Sequence, residues 1–505
     1  MKNKSIIIGI LVFLLISSSI SIVLGENQTI KQTNYHISQI DDFIISEMEK
    51  KHIPGLSASV VIGDNVIWRG AYGYADIENN IKVTNYTLFK IASVSKTITA
   101  TALMQLYEEG LFDLYEPINN YLPFEIIHPE YPSNEITFHM LLTHSSSIVD
   151  NWDYLFYFVG DAPISFQDFL EEYLVIGGEY YDSENNFGSW KPGTKFSYSN
   201  IAVALIGYLV EIISKTDFIE YCEINLLDKL EMNESAWYLR DLNISHIAMP
   251  YHRSGGEYVP YGHIGYVDVP AGDLRTSSFQ LIHFLTMFIN KGIYNSENII
   301  SEEMIDLMLT PQTLISNNIG LIWWKSSIGG RFVWGHSGSD FGYRAMMQFD
   351  NSTKIGVIVL INGESGISSI VDALFDYAEN IFSNIKPEKP EKPDGNIKGK
   401  IGGEYNYSTI SSDPNGDNLY YKWDWGDEIS DWIGPLSSGE TCHVKHIWHE
   451  EGDYEIRVKA KDIYDVESDW SDPLPISMPK NKSFNNFNPW ILRLLPRLPI
   501  LEYLL

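Results

Sequence analysis

Cysteine is scarce in this sequence, with only Cys222 and Cys442 among 505 residues. So few cysteines exclude a small scaffold held by disulfides, and a chain of this length can bury enough apolar surface to be stable without them. The two cysteines lie in different predicted domains, so we do not expect them to form a disulfide. The sequence also lacks paired Cys-x-x-Cys motifs, His-Glu-x-x-His and EF-hand loops, and we therefore expect neither a metal nor a cofactor.

Basic residues are also few relative to acidic ones. The chain has 35 Lys and Arg against 66 Asp and Glu, a formal net charge of −31. A polyanion of this size repels nucleic acid, which is therefore not an expected partner, and it is not drawn by charge to an anionic membrane surface. The apolar fraction of 44% and the charged fraction of 20% are typical of a globular chain, whose length predicts roughly two to three domains.

The amino terminus has the pattern of an export signal. Lys2 and Lys4 precede an apolar stretch from Ile6 to Leu24, and compact residues precede a cut before Glu26. This pattern predicts a signal peptide over residues 1–25 and a secreted or cell-surface protein. An uncleaved anchor is the alternative, because about 19 apolar residues nearly span a bilayer.

A proline-rich, charged segment divides the rest of the chain. Residues 386–393 read Lys-Pro-Glu-Lys-Pro-Glu-Lys-Pro, which can continue neither a helix nor a sheet, so we predict a linker there. It separates a domain of residues 26–385 from a domain of residues 394–480. Residues 481–505 form an apolar tail that prolines interrupt and that is too short to span a membrane; it either docks on the body or touches a lipid surface.

The two predicted domains differ in fold class. In the first, the apolar pattern predicts a hairpin at 57–69, helices at 97–109, 201–214 and 368–382, and strands at 331–334, 342–349 and 354–361. Strands at both ends with helices between them predict an α+β domain whose terminal segments pair in one sheet. In the second, the alternation of Tyr421, Trp423 and Trp425 predicts an all-β sandwich.

A candidate nucleophile lies at the start of an apolar helix. In Phe89-Lys-Ile-Ala-Ser93-Val-Ser-Lys96, the serine and lysine are three residues apart and share one helical face. Burial lowers the pKa of a lysine, and a neutral lysine can take the proton of the serine hydroxyl. The alternative is a helix-capping serine beside a surface lysine, although the apolar residues after Lys96 disfavour exposure.

Two further segments carry polar groups of matching chemistry. Tyr198 and Asn200 lie just before the helix at 201–214, where a phenol can shuttle protons and a carboxamide can hold a substrate carbonyl. Trp334-Gly-His336-Ser337-Gly338-Ser339 ends a predicted strand, and the backbone N–H groups of Ser339 and Ser93 could form an oxyanion hole. Taken singly, Tyr198 and Asn200 are better explained by a helix cap with a packed tyrosine, and His336 by a structural histidine.

Together, the three segments resemble the motifs of the serine β-lactamase and penicillin-binding-protein superfamily, and its class C-like branch most. Ser93 and Lys96 match its Ser-x-x-Lys, Tyr198 and Asn200 its Tyr-x-Asn, and His336 and Gly338 its Lys/His-x-Gly. The flanking segments at 138–147, 191–196 and 270–276 are similar as well, so the resemblance covers residues 35–385. It implies an antiparallel sheet flanked by helices plus an all-helical part. It also implies Ser93, Lys96 and Tyr198 as catalytic residues, with Asn200, His336, Gly338 and Ser339 binding substrate.

Two departures from this family matter. His336 stands where β-lactamases usually carry lysine, and a histidine is only partly charged near neutral pH. We therefore expect a serine hydrolase acting on an ester or a peptide, including D-amino-acid peptides, with a β-lactamase or a cell-wall carboxypeptidase or transpeptidase as the alternative. Ser147 replaces a usual glycine, which we interpret as structural.

The segment 394–480 resembles a PKD-like module. The resemblance rests on Asp413-Pro-Asn-Gly-Asp417, Trp423-Asp-Trp-Gly-Asp427 and the strand that begins at Tyr454. It implies an immunoglobulin-like sandwich that contacts a cell-surface glycan or protein or acts as a spacer. A non-catalytic adhesion protein is therefore a second alternative. Within 150–190, the aromatic residues Trp152, Tyr154, Phe156, Tyr157 and Phe158 either line a cleft or pack in a core.

Overall fold

The structure is a computed structural model that describes residues 37–312 and 316–479. The predicted signal peptide and the apolar carboxyl-terminal tail lie outside the described residues. Within the described part of the chain, no helix is both long enough and apolar enough to cross a bilayer. Cys222 and Cys442 are both buried and unpaired.

Helices and strands alternate irregularly through the first domain. Its helices are α1 (Ile37–Lys51), α2 (Ser95–Glu108), α3 (Phe138–Leu142), α4 (Phe166–Leu174), α5 (Asn200–Ser214), α6 (Phe218–Cys222), α7 (Ser278–Ile289), α8 (Glu302–Met308) and α9 (Ser368–Phe382). Its strands are β1 (Gly55–Ile62), β2 (Asn65–Asp76), β3 (Ile81–Lys82), β4 (Phe89–Lys90), β5 (Tyr157–Val159), β6 (Tyr251–Ser254), β7 (Glu257–Pro260), β8 (Ile264–Tyr266), β9 (Arg275–Thr276), β10 (Ile293–Tyr294), β11 (Glu297–Asn298), β12 (Trp324–Ile328), β13 (Arg331–Asp340), β14 (Tyr343–Asp350) and β15 (Ile355–Ile361).

One antiparallel sheet joins the two ends of this domain. Its order is β12-β13-β14-β15-β1-β2-β3, so the last long strand pairs with the first, with Ala58 opposite Val359. This confirms the predicted α+β class and the pairing of the terminal segments. Helices α1 and α9 pack on one face of the sheet and α7 on the other, because β1 and β15 are apolar on both sides.

Strand β13 is longer than the sequence indicated, since we predicted a strand only over 331–334. The apolar run Phe332–Trp334 ends at Gly335, and the small residues that follow carry no period-two signal. In the structure the strand continues to Asp340 because β14 pairs with it along its second half, with Ser339 opposite Arg344. Strand β12 pairs only with residues 331–335, so no strand of the described residues covers the other edge of 336–340.

The second domain is a sandwich of two antiparallel sheets. Its strands are β16 (Asp394–Gly395), β17 (Glu404–Thr409), β18 (Leu419–Asp424), β19 (Ile433–Leu436), β20 (Cys442–Ile447), β21 (Gly452–Lys461) and β22 (Leu474–Met478). The orders are β16-β17-β20 and β19-β18-β21-β22. Tyr421, Trp423 and Trp425 lie in the core between the sheets, as the alternating pattern predicted, and Trp448 joins them there.

The proline-rich segment is extended, and it packs against this sandwich. Pro387, Pro390 and Pro393 are buried while the charged residues between them are exposed. A spacing of three places the prolines on one face of a polyproline helix, which has three residues per turn. The backbone N–H of Glu388 donates to Ser412 O and that of Glu391 to Ile410 O, so the segment lies alongside the chain that leaves β17.

Candidate active site

Ser93 lies in a short 3₁₀ turn, Ala92–Val94, that leads directly into α2. Ala92, which precedes it, has a φ of 47°, a left-handed conformation that costs energy for any residue with a Cβ atom. Lys96 Nζ lies 3.1 Å from Ser93 Oγ, as the three-residue spacing predicted. The structure therefore holds the hydroxyl at the half-buried amino-terminal end of an apolar helix, with the amine against it.

Lys96 is fully buried, and its amine has a second partner. It donates to the carbonyl oxygen of Ala271 at 2.6 Å. Burial lowers its pKa from 10.5 to about 8, although the carboxylates of Asp268 and Asp150 act in the opposite direction. In the neutral amine, one hydrogen can point to Ala271 O while the lone pair accepts the proton of Ser93. The alternative of a surface lysine is therefore wrong.

Tyr198 stands over this pair. The Lys96 ammonium lies 5.2 Å from the centroid of its ring, and the ring of His144 packs on it at 4.4 Å. Burial raises the pKa of Tyr198, and only the nearby Ser93 hydroxyl lowers it. Tyr198 therefore stays a phenol at neutral pH, whereas Lys96, with a pKa of about 8, is partly free amine there.

Asn200 is the first residue of α5, and an aspartate holds it in place. Asp150 accepts hydrogen bonds from the backbone N–H groups of Asn200 and Ile201 and from Asn200 Nδ2, at 2.8, 3.1 and 2.9 Å respectively. A carboxylate at a helix amino terminus is favoured by the helix dipole. One amide hydrogen of Asn200 is thus occupied, and its carbonyl oxygen is the group it can offer most fully to a substrate.

His336 has a defined tautomer in this structure. Its Nδ1 lies 2.8 Å from the carbonyl oxygen of Ser337, which can only accept, so Nδ1 carries the hydrogen. Nε2 is buried and has no hydrogen-bond partner among the described residues. Burial, together with the charge of Lys96, lowers the pKa of His336 to about 3. At neutral pH the imidazole therefore presents an uncharged acceptor, not a partial cation.

Gly338 brings β13 against the turn that carries Ser93. A Cβ atom at this position would lie 2.1 Å from Ile91 O, so any larger residue would push the strand away. Ser339, the next residue, is exposed. The close approach of Gly338 thus places the strand segment that ends in Ser339 and Asp340 next to the turn that carries Ser93.

A buried lysine ties these elements together. Lys90 Nζ makes ion pairs with Asp273 at 2.6 Å and with Asp340 at 2.7 Å. Lys90 precedes the Ser93 turn, Asp273 follows Ala271, and Asp340 ends β13. Tyr266 donates to the second oxygen of Asp340 at 2.5 Å. This cluster sets the positions of the Ser93 turn, the Ala271 segment and the end of β13 relative to one another.

Several residues of the site were not found from sequence. Asp150 and Asp268 face Lys96, and burial raises the pKa of Asp268 to about 7, with the charge of Asp273 adding to the effect. Burial and the charge of Lys96 keep the pKa of His144 well below its usual value. Single aspartates in loops carry no local signal, because only the tertiary fold brings them to Lys96. Within 37–312 and 316–479, no cluster of His, Cys, Asp or Glu is arranged to hold a metal.

Ser147 adopts a φ of 68°, the region that glycine enters freely. Its Oγ donates to the carbonyl oxygen of Trp190 at 2.7 Å and so holds the loop before Tyr198. The hydroxyl has a structural partner at a position where the family usually places glycine.

Comparison with known proteins agrees with this architecture. The family described as Beta-lactamase matches residues 40–376, and the PKD domain matches residues 401–471. Protein flp of Staphylococcus aureus is 24% identical over 333 residues, which are 65% of this chain and 64% of that protein. The chain thus spans somewhat less than two thirds of this relative's length.

Two solved structures share the fold. The octameric penicillin-binding protein homologue from Pyrococcus abyssi is 22% identical, with a TM-score of 0.54 over 84% of this chain and 98% of that one. The D-amino acid amidase from Ochrobactrum anthropi SV3 is 19% identical, with a TM-score of 0.55 over 68% of this chain and 99% of that one. At these identities the likeness concerns the fold.

Proposed function

Since the chain belongs to the Beta-lactamase family, we propose that it is an exported serine hydrolase that forms an acyl-enzyme on Ser93 with an ester or a peptide-like amide. The observation that carries the proposal is the contact of 3.1 Å between Ser93 Oγ and the buried Lys96, whose pKa is lowered to about 8. A free amine against a hydroxyl is a nucleophile with its base.

The reaction begins when Lys96 takes the proton of Ser93 and Oγ attacks the substrate carbonyl. The backbone N–H groups of Ser93 and Ser339 hold the oxyanion. Tyr198 gives its proton to the leaving group as the carbon–heteroatom bond breaks, and it regains a proton from the Lys96 ammonium. Water then attacks the acyl-enzyme, gives a proton to the same pair, and restores the Ser93 hydroxyl as the acid leaves.

The environment of His336 narrows the substrate class. Tyr198 donates to the leaving group, and the rings of Tyr198 and His336 are 6.3 Å apart, so the leaving group lies at the His336 end of β13. His336 offers a neutral acceptor at Nε2 and no cation. A leaving group that carries a hydrogen-bond donor can pair with His336 Nε2, whereas a leaving-group carboxylate finds no positive charge on His336. This favours esters and amides over β-lactams and over peptides with a free carboxyl terminus. Amides of D-amino acids are included, since the Ochrobactrum enzyme that shares the fold is a D-amino acid amidase.

Labelling with a fluorophosphonate tests the nucleophile and its exposure to the outside together. A charged fluorophosphonate that cannot cross membranes should label the wild type on intact cells or in the medium, and Ser93→Ala should abolish the label. Ser95→Ala is the matched control, because Ser95 Oγ is fully buried without a hydrogen-bond partner among the described residues. An unlabelled wild type, or equal labelling of Ser93→Ala, would remove the basis of the proposal.

The sandwich is proposed to contact a surface glycan or protein outside the cell, or to hold the hydrolase at a distance from it. Its place after the hydrolase domain and the match to the PKD domain support this role.

A further inference from the structure

A row of aromatic rings begins at the far end of β13. Phe341 lies at the tip of the two-residue turn between β13 and β14, where Asp340 pairs with Tyr343. The centroid of its ring is 5.5 Å from that of Tyr157 and 5.3 Å from that of Tyr261. The ring of His252 stacks on Tyr261 at 4.5 Å and continues the row.

The row is fixed to the active site by strand pairing and by hydrogen bonds. Strand β5 pairs with β8 so that Tyr157 lies opposite Tyr266. Tyr266 donates to Asp340, which lies between Ser339 and Phe341 and is itself held by Lys90. The rings therefore have a set position relative to the site where a carbonyl oxygen would lie.

Part of this row is open to solvent. Tyr157 is 55% exposed, and Phe341 and Tyr261 are half-buried. Within 150–190, Tyr154 and Phe158 pack against the core, whereas Trp152 and Phe156 are 59% and 37% exposed. Among the exposed aromatic residues of this segment, Tyr157 is the one that contacts Phe341 at the end of β13. Exposed aromatic surface is typical of a binding site.

The direction of the row indicates which part of the substrate it meets. The leaving group lies at the His336 end of β13, so the acyl part extends the other way, past Ser339 toward Phe341. Two residues of extended chain span about 7 Å, which is the length of two residues of an extended peptide or of a short acyl chain that ends in a ring. A group at that distance from the scissile carbonyl would contact Phe341 and Tyr157.

We propose that Tyr157, Phe341 and Tyr261 form an acyl-side subsite that selects substrates with an aromatic or other flat apolar group about 7 Å from the scissile carbonyl. The inference rests on the proposed function, since it assumes that Ser93 is acylated. It adds a substrate class that the catalytic residues do not determine, because the three rings stand at the end of β13 beyond the oxyanion-binding backbone of Ser339.

Two p-nitrophenyl esters with one leaving group test this subsite. Wild type should have a lower KM for the 3-phenylpropionate than for the acetate, because ring stacking is worth a few-fold to tenfold in affinity. Tyr157→Ala should raise KM for the phenylpropionate about 3- to 10-fold, with kcat and the acetate reaction unchanged. Tyr157→Phe should keep the wild-type preference, since it keeps the ring.

Tyr86→Ala is the matched control. Tyr86 is 56% exposed and packs on Phe279 at the start of α7. The Tyr86→Ala substitution therefore removes an aromatic ring of similar exposure from another surface. An unchanged phenylpropionate preference in Tyr157→Ala, or an equal loss in Tyr86→Ala, would overturn the subsite. Turnover of neither ester, or turnover that survives Ser93→Ala, would instead count against the proposed function, so the two failures can be told apart.

Discussion

The lowered pKa of Lys96 has a measurable consequence for the pH dependence of acylation. A fall from 10.5 to about 8 raises the fraction of free amine at pH 7 about 300-fold, to roughly one molecule in ten. If Lys96 is the base, kcat/KM should rise with pH and level off above about 8, because kcat/KM reports the free enzyme. His336, with a pKa of about 3, stays neutral throughout this range, as does His144.

Asp268→Asn is the perturbation that tests this cause. The carboxylate of Asp268 is the larger of the two charges that raise the pKa of Lys96, and the two groups titrate together between about 7 and 8. The Asp268 charge raises the pKa of Lys96 against the effect of burial. Without it, that pKa should fall and the rise in kcat/KM should move to lower pH. A Lys96 pKa of about 7 in place of about 8 would raise the free amine at pH 7 about fivefold.

The assay is the initial rate of p-nitrophenyl ester hydrolysis from pH 5 to 10 at low substrate concentration. Asp217→Asn is the control, because Asp217 caps α6 through the backbone N–H of Ile219 at 2.9 Å and asparagine caps equally well. Its profile should match that of the wild type. A wild-type rise centred near 10, or an Asp268→Asn profile superimposable on the wild type, would refute the account of Lys96 as a buried base.

Two further outcomes follow from the site. An acylated D-alanyl-glycinamide should be cleaved with a higher kcat/KM than the same compound ending in glycine, because His336 offers no charge to a leaving-group carboxylate. His336→Lys should narrow or reverse this preference. Equal kcat/KM values for the two substrates in wild type would contradict the argument. Lys90→Met should lower the free energy of unfolding in urea by about 3–5 kcal/mol, because it leaves the carboxylates of Asp273 and Asp340 buried without their cation. The control for this variant is Lys445→Met, which breaks the exposed Lys445–Glu404 pair and should have little effect on the free energy of unfolding. If Lys90→Met lowered that free energy no more than Lys445→Met does, the buried cluster would not stabilise the site.

Local pattern was sufficient for the elements that are long and strongly apolar. Helix α9 begins and ends where the sequence predicted, and α2 and α5 differ from prediction by a residue or two, because their periodicity and flanking residues mark them clearly. The second half of β13, residues 336–340, was not predicted, since its glycines and serines have no periodic signal. It is a strand because it pairs with β14.

By itself, the sequence determined the fold class, the family resemblance and the pairing of Ser93 with Lys96, because residues three positions apart lie on one face in a 3₁₀ turn as well as in an α-helix. Only the tertiary structure decided the chemistry of that pair. Burial makes Lys96 a base and keeps the proton on Tyr198, Asp150 and Asp268 come from distant loops, and the contact of His336 with Ser337 O fixes its tautomer. Those effects depend on desolvation and on charges brought together by folding, which no local spacing encodes.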